Sequence, residues 1–164
     1  MNRRLPNLIL MLVCVVSIGW SQQPPTTDAV RSIYKSKYSE RLVPLLTEVL
    51  RFPTVEGNTA ARDLQQKWLE SVGTGLGFTV RNAGLITEIE LPGPANVPVL
   101  GLVVHGDVQP VNESEWSFPP FAGVEKNGVV YGRGSADDKN GIVQAMLAMA
   151  ALRDPAPPRT YRPG

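Results

Sequence analysis

The stretch VVYGRGSADDKNGIVQAMLAMAALR, residues 129–153, decides the fold because a strand, a loop and a helix follow one another in it. The Asn-Gly pair at 127–128 is a strong signal for a hairpin turn, so VVY is predicted to be the returning strand. Gly132 and Gly134 allow a tight loop after that strand. The helix predicted over 138–153 is apolar on almost every side, which is typical of a helix buried against a sheet.

The segments before this stretch alternate between helical and extended patterns. Val97–Val104 (VPVLGLVV) is a nearly unbroken apolar run, as expected of a strand covered on both faces. Further predictions are a helix over 28–51 broken near 39–44 by Pro44, a helix over 58–72 capped by Asn58 and stopped at Gly73, and strands over 78–80 and 85–91. The order of these elements predicts an α/β fold.

The first residues have the composition of a secretory leader. Arg3 and Arg4 precede an apolar run without charge, Leu8–Trp20, which is short for a membrane span of about 20 residues. We predict a signal peptide over residues 1–21 and export to the bacterial periplasm or the extracellular space. An uncleaved membrane anchor is the alternative, and a lipoprotein attached through Cys14 is disfavoured because bulky Val13 precedes that cysteine.

Three further boundaries follow from composition. Residues 22–27 form a short polar linker, residues 28–154 form the folded domain, and residues 155–164, which are rich in proline, form a tail without packed structure. The domain is large enough for one hydrophobic core and too short for two ordinary domains.

Composition excludes several classes of function. The 164 residues include 16 Lys plus Arg and 15 Asp plus Glu without a basic cluster, which argues against a nucleic-acid partner. The single cysteine, Cys14, lies in the predicted leader, so neither a disulfide framework nor a cysteine zinc site is expected. With one histidine, this chain alone cannot build a site with two histidine ligands.

That histidine, His105, follows the predicted buried strand directly and is followed by Gly106 and Asp107. Ligands of α/β sheets bind at the carboxyl ends of strands, and alternation along an extended chain places His105 and Asp107 on the same side. A neutral imidazole held by a carboxylate is the usual pairing at zinc. A histidine hydrogen-bonded at a strand end, with Asp107 in a turn, explains these three residues equally well.

A second acidic motif precedes the predicted final helix. Asp137 and Asp138 are adjacent, so in an extended loop they point in opposite directions and serve different purposes. Asp137 can reach a metal and bridge two ions, while Asp138 can cap the helix that follows. A doubly acidic helix cap without a metal is the alternative.

Taken together, these motifs resemble the zinc-dependent exopeptidase and deacylase family of carboxypeptidase G, acetylornithine deacetylase, aminoacylase, carnosinase and peptidase V. The resemblance rests on VVHGDVQPV (103–111), WSFPPF (116–121) and GVVYGRGSADDKNG (128–141), and it extends loosely over 41–153. The spacing of the tryptophan, proline and phenylalanine in 116–121 is most similar to the dipeptidase and carnosinase branch. The implied fold is the N-terminal part of a catalytic domain whose mixed, mostly parallel sheet is flanked by helices.

The resemblance also implies roles for individual residues. His105 would be a ligand of one zinc ion, Asp107 the active-site acid behind it, and Asp137 the carboxylate that bridges two zinc ions. A cis peptide bond between Asp137 and Asp138 is implied as well. Asn140 stands where the family more often has glycine.

Other parts of the family's site have no counterpart in these 164 residues. The resemblance implies a downstream Glu-Glu pair, a further acid, a second histidine and an inserted domain that forms homodimers. The 12 residues after Leu152 contain one acid, Asp154, and no histidine. His105 and Asp137 are two of the five protein ligands implied for two metals, so we expect an N-terminal fragment that is poorly stable and inactive alone.

The expected activity of the complete enzyme is zinc-dependent hydrolysis of the amide bond of a small peptide. Two alternatives stay open. The first is a deacylase of the same family that acts on an N-acyl amino acid, and the second is a non-catalytic binding module that kept the fold. Weak, non-specific binding of one metal by His105 and Asp137 is a further alternative.

Overall fold

The computed structural model describes residues 25–93 and 98–154 of the chain. The predicted signal peptide, residues 22–24 of the predicted linker, Val97 and the predicted tail lie outside these residues. The element order is α1 (Thr27–Ile33), a π-helical turn (Tyr34–Tyr38), a 3-10 turn (Ser39–Arg41), α2 (Leu42–Val49), α3 (Thr59–Gly75), β1 (Thr79–Ala83), β2 (Ile86–Glu90), a 3-10 turn (Glu113–Glu115), β3 (Val124–Lys126), β4 (Val129–Tyr131) and α4 (Lys139–Arg153). This mixture of helices and strands confirms the predicted class.

The first predicted helix is broken, as Pro44 indicates, although the irregular part begins earlier, at Tyr34. Pro44 lies in the first turn of α2, where its missing N–H removes no helical hydrogen bond. The predicted cap of α3 is confirmed because the Asn58 side chain accepts a hydrogen bond from the amide of Ala61 at 3.1 Å.

The predicted end of α3 at Gly73 is wrong, since the helix continues to Gly75. A Cβ atom at Gly73 would lie 2.7 Å from Cγ2 of Val80. This glycine therefore allows β1 to approach the helix, and the turn is made instead by Gly77, whose φ is +81°.

Both strand pairs are antiparallel hairpins. Strand β1 pairs with β2, and β3 pairs with β4, so no parallel pairing occurs among the described residues. The turn between β3 and β4 uses Asn127 (φ 55°) and Gly128 (φ 78°), as predicted.

The prediction of a buried strand over 97–104 is wrong for its described part. Residues 98–104 form no strand, and Val99 and Val103 are 91% and 98% exposed. A strand requires a hydrogen-bonded neighbour, and no described segment pairs with this one. The described part of the apolar run therefore lies on the surface without a β-ladder.

The hydrophobic core is built around α4, which is buried as predicted. It packs mainly against α1, the π-helical turn and α2, so within the described residues helices cover it where a sheet was expected. Val143, Leu147 and Ala150 are fully buried. Among the described helices, none combines the length and apolarity that crossing a membrane requires.

Candidate active site

The three side chains that the sequence predicts for the site lie together. Nδ1 of His105 lies 3.1 Å from Oδ1 of Asp107, and Nε2 of His105 lies 3.0 Å from Oδ1 of Asp137. The predicted position of Asp107 on the same side as His105 is confirmed. The imidazole therefore bridges two carboxylates that come from different parts of the chain.

The loop before α3 holds the His-Gly-Asp segment in place, although that segment does not follow a strand. The buried Thr54 donates its hydroxyl hydrogen to the carbonyl of Gly106 at 2.6 Å. In return, the amide of Val108 donates to the carbonyl of Thr54 at 3.1 Å. A Cβ atom at Gly106 would overlap the amide of the buried Gln65, so a larger residue here would force the Gln65 side chain to move. These contacts tie His105 and Asp107 to the α2–α3 connection.

The peptide bond between Asp137 and Asp138 is cis, as the resemblance implies. Asp138 occupies the N-cap position of α4, but its side chain makes no capping hydrogen bond. The predicted capping contact is therefore wrong. The Asp138 carboxylate faces the amide of His105 at 3.4 Å, and it lies so close to Gly141 that a Cβ atom there would overlap it.

Lys139 anchors the other side of the same loop. Its side chain is fully buried, and Nζ donates to the carbonyl of Val49 at 3.1 Å and to that of Phe52 at 2.5 Å. Burial lowers the pKa of Lys139 to about 8, because the charged ammonium is removed from water. The ammonium thus joins the start of α4 to the end of α2, and so places Asp137 relative to Thr54.

The site is open to solvent and carries acidic charge. The side chains of His105, Asp107 and Asp137 are 49%, 73% and 88% exposed. The hydrogen bond to Asp137 has the largest effect on the pKa of His105 and raises it above its usual value. Burial opposes this shift, and the nearby charge of Asp107 adds to it. Protonated His105 is therefore stabilised between its two carboxylates, and a metal would have to displace that proton.

The donor set agrees with part of a zinc site. Zinc binds imidazole nitrogen and carboxylate oxygen, and a zinc-bound histidine usually donates its other N–H to a carboxylate, as Nδ1 of His105 is placed to do. Within residues 25–93 and 98–154, however, no group of three histidine, cysteine, aspartate or glutamate side chains could hold a metal ion. His105 and Asp137 therefore fit as two ligands, fewer than the four contacts that zinc usually takes.

A cleft of about 300 Å³ opens beside these side chains. Trp116 and Arg133 line it, and the guanidinium carbon of Arg133 lies 5.3 Å from the centre of the Trp116 ring. The remaining lining residues are His105, Asp107, Val108, Gln109, Gly132, Gly134, Ser135, Ala136 and Asp137.

Sequence reasoning assigned no role to Thr54, Lys139 or Arg133. Thr54 lies outside every motif, so only the folded chain shows its contact with Gly106. Lys139 and Arg133 lie within the GRGSADDK motif, and a basic residue on each side of two aspartates is the signal that could have found them.

Comparison with known proteins supports the resemblance. The sequence profile described as Peptidase family M20/M25/M40 matches residues 101–162. The human N-fatty-acyl-amino acid synthase/hydrolase PM20D1 is 44% identical over 59 residues, which are 36% of this chain and 12% of that protein. The PM20D1 protein of Xenopus tropicalis is 31% identical over 131 residues, or 71% of this chain and 25% of that protein.

A bacterial enzyme is similar over a comparable length. The succinyl-diaminopimelate desuccinylase of Legionella pneumophila (strain Corby) is 39% identical over 109 residues, which are 65% of this chain and 28% of that enzyme. Matches to these three relatives thus span between 12% and 28% of their length. The matched segment contains the histidine and both aspartates of the cleft. Residues 101–162 are therefore similar in sequence to peptidase family M20/M25/M40.

Proposed function

We propose that this chain contributes the His-Asp-Asp part of a metal-dependent hydrolase that cleaves the amide bond between an acyl group and an amino acid. The observation that carries the proposal is His105, which has Asp107 on one ring nitrogen and Asp137 on the other. The hydrolase relatives and the family match support amide-bond hydrolysis as the reaction.

Each of the three side chains has a separate task in this proposal. His105 Nε2 and the Asp137 carboxylate would hold zinc, in a site for which the resemblance implies two ions. Asp107 accepts the Nδ1 hydrogen of His105 and so keeps Nε2 free to bind. Bound zinc supplies an acidified water and polarises the amide carbonyl.

The names of the relatives favour one substrate class. PM20D1 is named for N-fatty-acyl-amino acids and the Legionella pneumophila enzyme for succinyl-diaminopimelate, and both names describe an acyl group on an amino-acid nitrogen. We therefore favour an N-acyl amino acid as substrate over the dipeptide that the sequence predicts. A dipeptide contains the same kind of bond, and it remains the second candidate. Export to the periplasm or the extracellular space stays a proposal that rests on the composition of residues 1–21.

The 164-residue chain by itself is expected to be inactive. The described residues offer two zinc ligands, and the chain contains no histidine other than His105. With so few ligands, zinc is held weakly, and its effect on the pKa of bound water is lost. Zinc-dependent hydrolysis by the purified chain would contradict this expectation.

A hybrid protein tests the proposed function directly. Residues 101–154 replace the matching segment of the Legionella pneumophila desuccinylase, which then supplies the remaining site. We expect the hybrid to hydrolyse succinyl-diaminopimelate, and His105→Ala or Asp137→Asn to lower kcat/KM by at least about a hundredfold. Glu113→Gln, an exposed carboxylate outside the cleft, is the matched control and should change nothing. A folded, zinc-loaded hybrid without activity would favour the non-catalytic module.

A further inference from the structure

We propose that Arg133, stacked on Trp116, is a specificity-determining residue that binds the carboxylate of the substrate in the cleft beside His105. This inference rests on the proposed function, because it names the group of an N-acyl amino acid that the cleft recognises. It adds a residue for which the sequence motifs gave no role.

The first observation is an unsatisfied donor. Nε of Arg133 is buried and has no hydrogen-bond partner among the described residues. A buried N–H without an acceptor is costly, and native proteins satisfy nearly all such groups with protein, water or ligand atoms. The Arg133 side chain lines the same cleft as His105 and Asp137, so a ligand in that cleft would lie beside its guanidinium group.

The second observation is that the guanidinium group is held without being neutralised. Its carbon lies 5.3 Å from the centre of the Trp116 ring, a cation–π distance that orients the planar group. Within residues 25–93 and 98–154, no carboxylate forms an ion pair with Arg133. The Arg133 amide donates to the carbonyl of Pro120 at 2.7 Å, which fixes the backbone below the side chain.

These features select a planar anion. The forked N–H groups of an arginine match the two oxygens of a carboxylate. Because the Arg133 side chain is already ordered by stacking on an aromatic ring, it loses less conformational freedom when it binds. Asp107 and Asp137 make the rest of the cleft acidic, so a free anion would be repelled unless another part of the ligand also binds. An N-acyl amino acid has both a planar carboxylate for Arg133 and an acyl part that can bind elsewhere in the cleft.

Binding to the full 164-residue chain tests this inference without requiring catalysis. N-acetyl-leucine, N-acetyl-leucinamide and acetate are titrated, and the indole N–H signal of Trp116 is followed by NMR. We expect N-acetyl-leucine to bind at least about tenfold more tightly than either of the other two, a difference that corresponds to one charge-assisted contact. Arg133→Gln should abolish this preference, and Arg133→Lys should retain part of it.

Two further variants keep the result interpretable. Arg31→Gln removes the same charge from the exposed surface of α1, away from the cleft, and should bind as the unsubstituted chain does. Trp116→Leu keeps the charge of Arg133 but removes the aromatic ring on which the guanidinium group stacks, and it should weaken the binding of N-acetyl-leucine. This variant tests the inference even if Arg133→Gln does not fold. Because the Trp116 indole signal is lost in Trp116→Leu, binding is followed by the ring signals of His105.

Four outcomes would overturn the inference. They are equal binding of the amide, acetate binding as tightly as N-acetyl-leucine, retained preference in Arg133→Gln, and no measurable binding by the unsubstituted chain. Carboxylate-selective binding together with an inactive hybrid would contradict the proposed reaction and leave the role of Arg133 intact. An active hybrid in which Arg133→Gln does not alter KM would contradict the role of Arg133 and leave the proposed reaction intact.

Discussion

At the scale of single residues, the site depends on His105 lying between two carboxylates. Alternation along the chain predicts that Asp107 lies beside His105. The contact with Asp137 joins residues 32 positions apart, and before the structure only the family resemblance indicates it. The predicted capping role of Asp138 is wrong. An acid before a helix normally caps it, but here the Asp138 carboxylate faces the amide of His105.

The protonation of His105 should depend on Asp137. Since the hydrogen bond to Asp137 is the largest cause of the raised pKa of His105, Asp137→Asn should move that pKa back towards 6.5. Stability gained from protonated His105 is present at low pH and is lost as pH rises through the raised pKa. Because the chain has one histidine, its ring signals in an NMR titration are unambiguous. An unchanged pKa in Asp137→Asn, with Glu113→Gln as control, would contradict this contact.

At the scale of secondary structure elements, local signals located most of the helices, the β3–β4 hairpin and the two strands of the other hairpin, but not the pairing of those two strands. Asn58 marked the start of α3, and the Asn-Gly turn marked the β3–β4 hairpin. Local signals failed where a distant partner decides the outcome. The sequence predicts a helix stop at Gly73, but the close approach of Val80 explains the glycine at this position. The apolar run at 98–104 was predicted as a strand, but hydrogen-bonded neighbours decide whether a strand forms.

Two glycines in α3 provide a matched comparison. Gly73→Ala would place a Cβ atom 2.7 Å from Val80, and this crowding should outweigh the better helix propensity of alanine and lower the free energy of unfolding by about 1–3 kcal/mol. A Cβ atom at Gly75 would have no neighbouring atom within 4 Å. Gly75→Ala should therefore leave the free energy of unfolding nearly unchanged or raise it by up to about 1 kcal/mol. Urea unfolding measures both variants. Equal effects would show that α3 and β1 do not approach closely at Gly73.

At the scale of the whole molecule, buried polar contacts connect the cleft to the helical core. Lys139 joins the start of α4 to the end of α2, and Thr54 joins the next loop to Gly106. Sequence patterns predict which faces are apolar, and so α4 was correctly predicted to be buried. They do not show where a buried lysine finds its carbonyl partners, because those partners are about 90 residues away.

Lys139→Met should therefore loosen this connection. It leaves the carbonyls of Val49 and Phe52 without their charged donor, and the free energy of unfolding should fall by about 1–3 kcal/mol at pH 7. The exposed Lys67→Met on α3 is the control and should have little effect.

The pH dependence gives a second measure of the same residue. With a pKa of about 8 in the folded chain and 10.5 when unfolded, the unfolded state binds the extra proton between these values. The free energy of unfolding should rise with pH across that range, and this rise should be absent in Lys139→Met. An identical pH profile in the two proteins would show that Lys139 is not buried in its charged form.

Zinc titration of the full chain, followed through the ring nitrogen signals of His105, shows whether His105 and Asp137 bind a metal together. We expect a saturable shift at Nε2 and an affinity that falls as pH drops and the ring becomes protonated. Asp107→Asn should lower this affinity about 10- to 100-fold. Asp137→Asn should weaken binding at least as much, while Glu113→Gln should not. Zinc that leaves the His105 signals unchanged, or that binds Asp137→Asn equally well, would contradict the account.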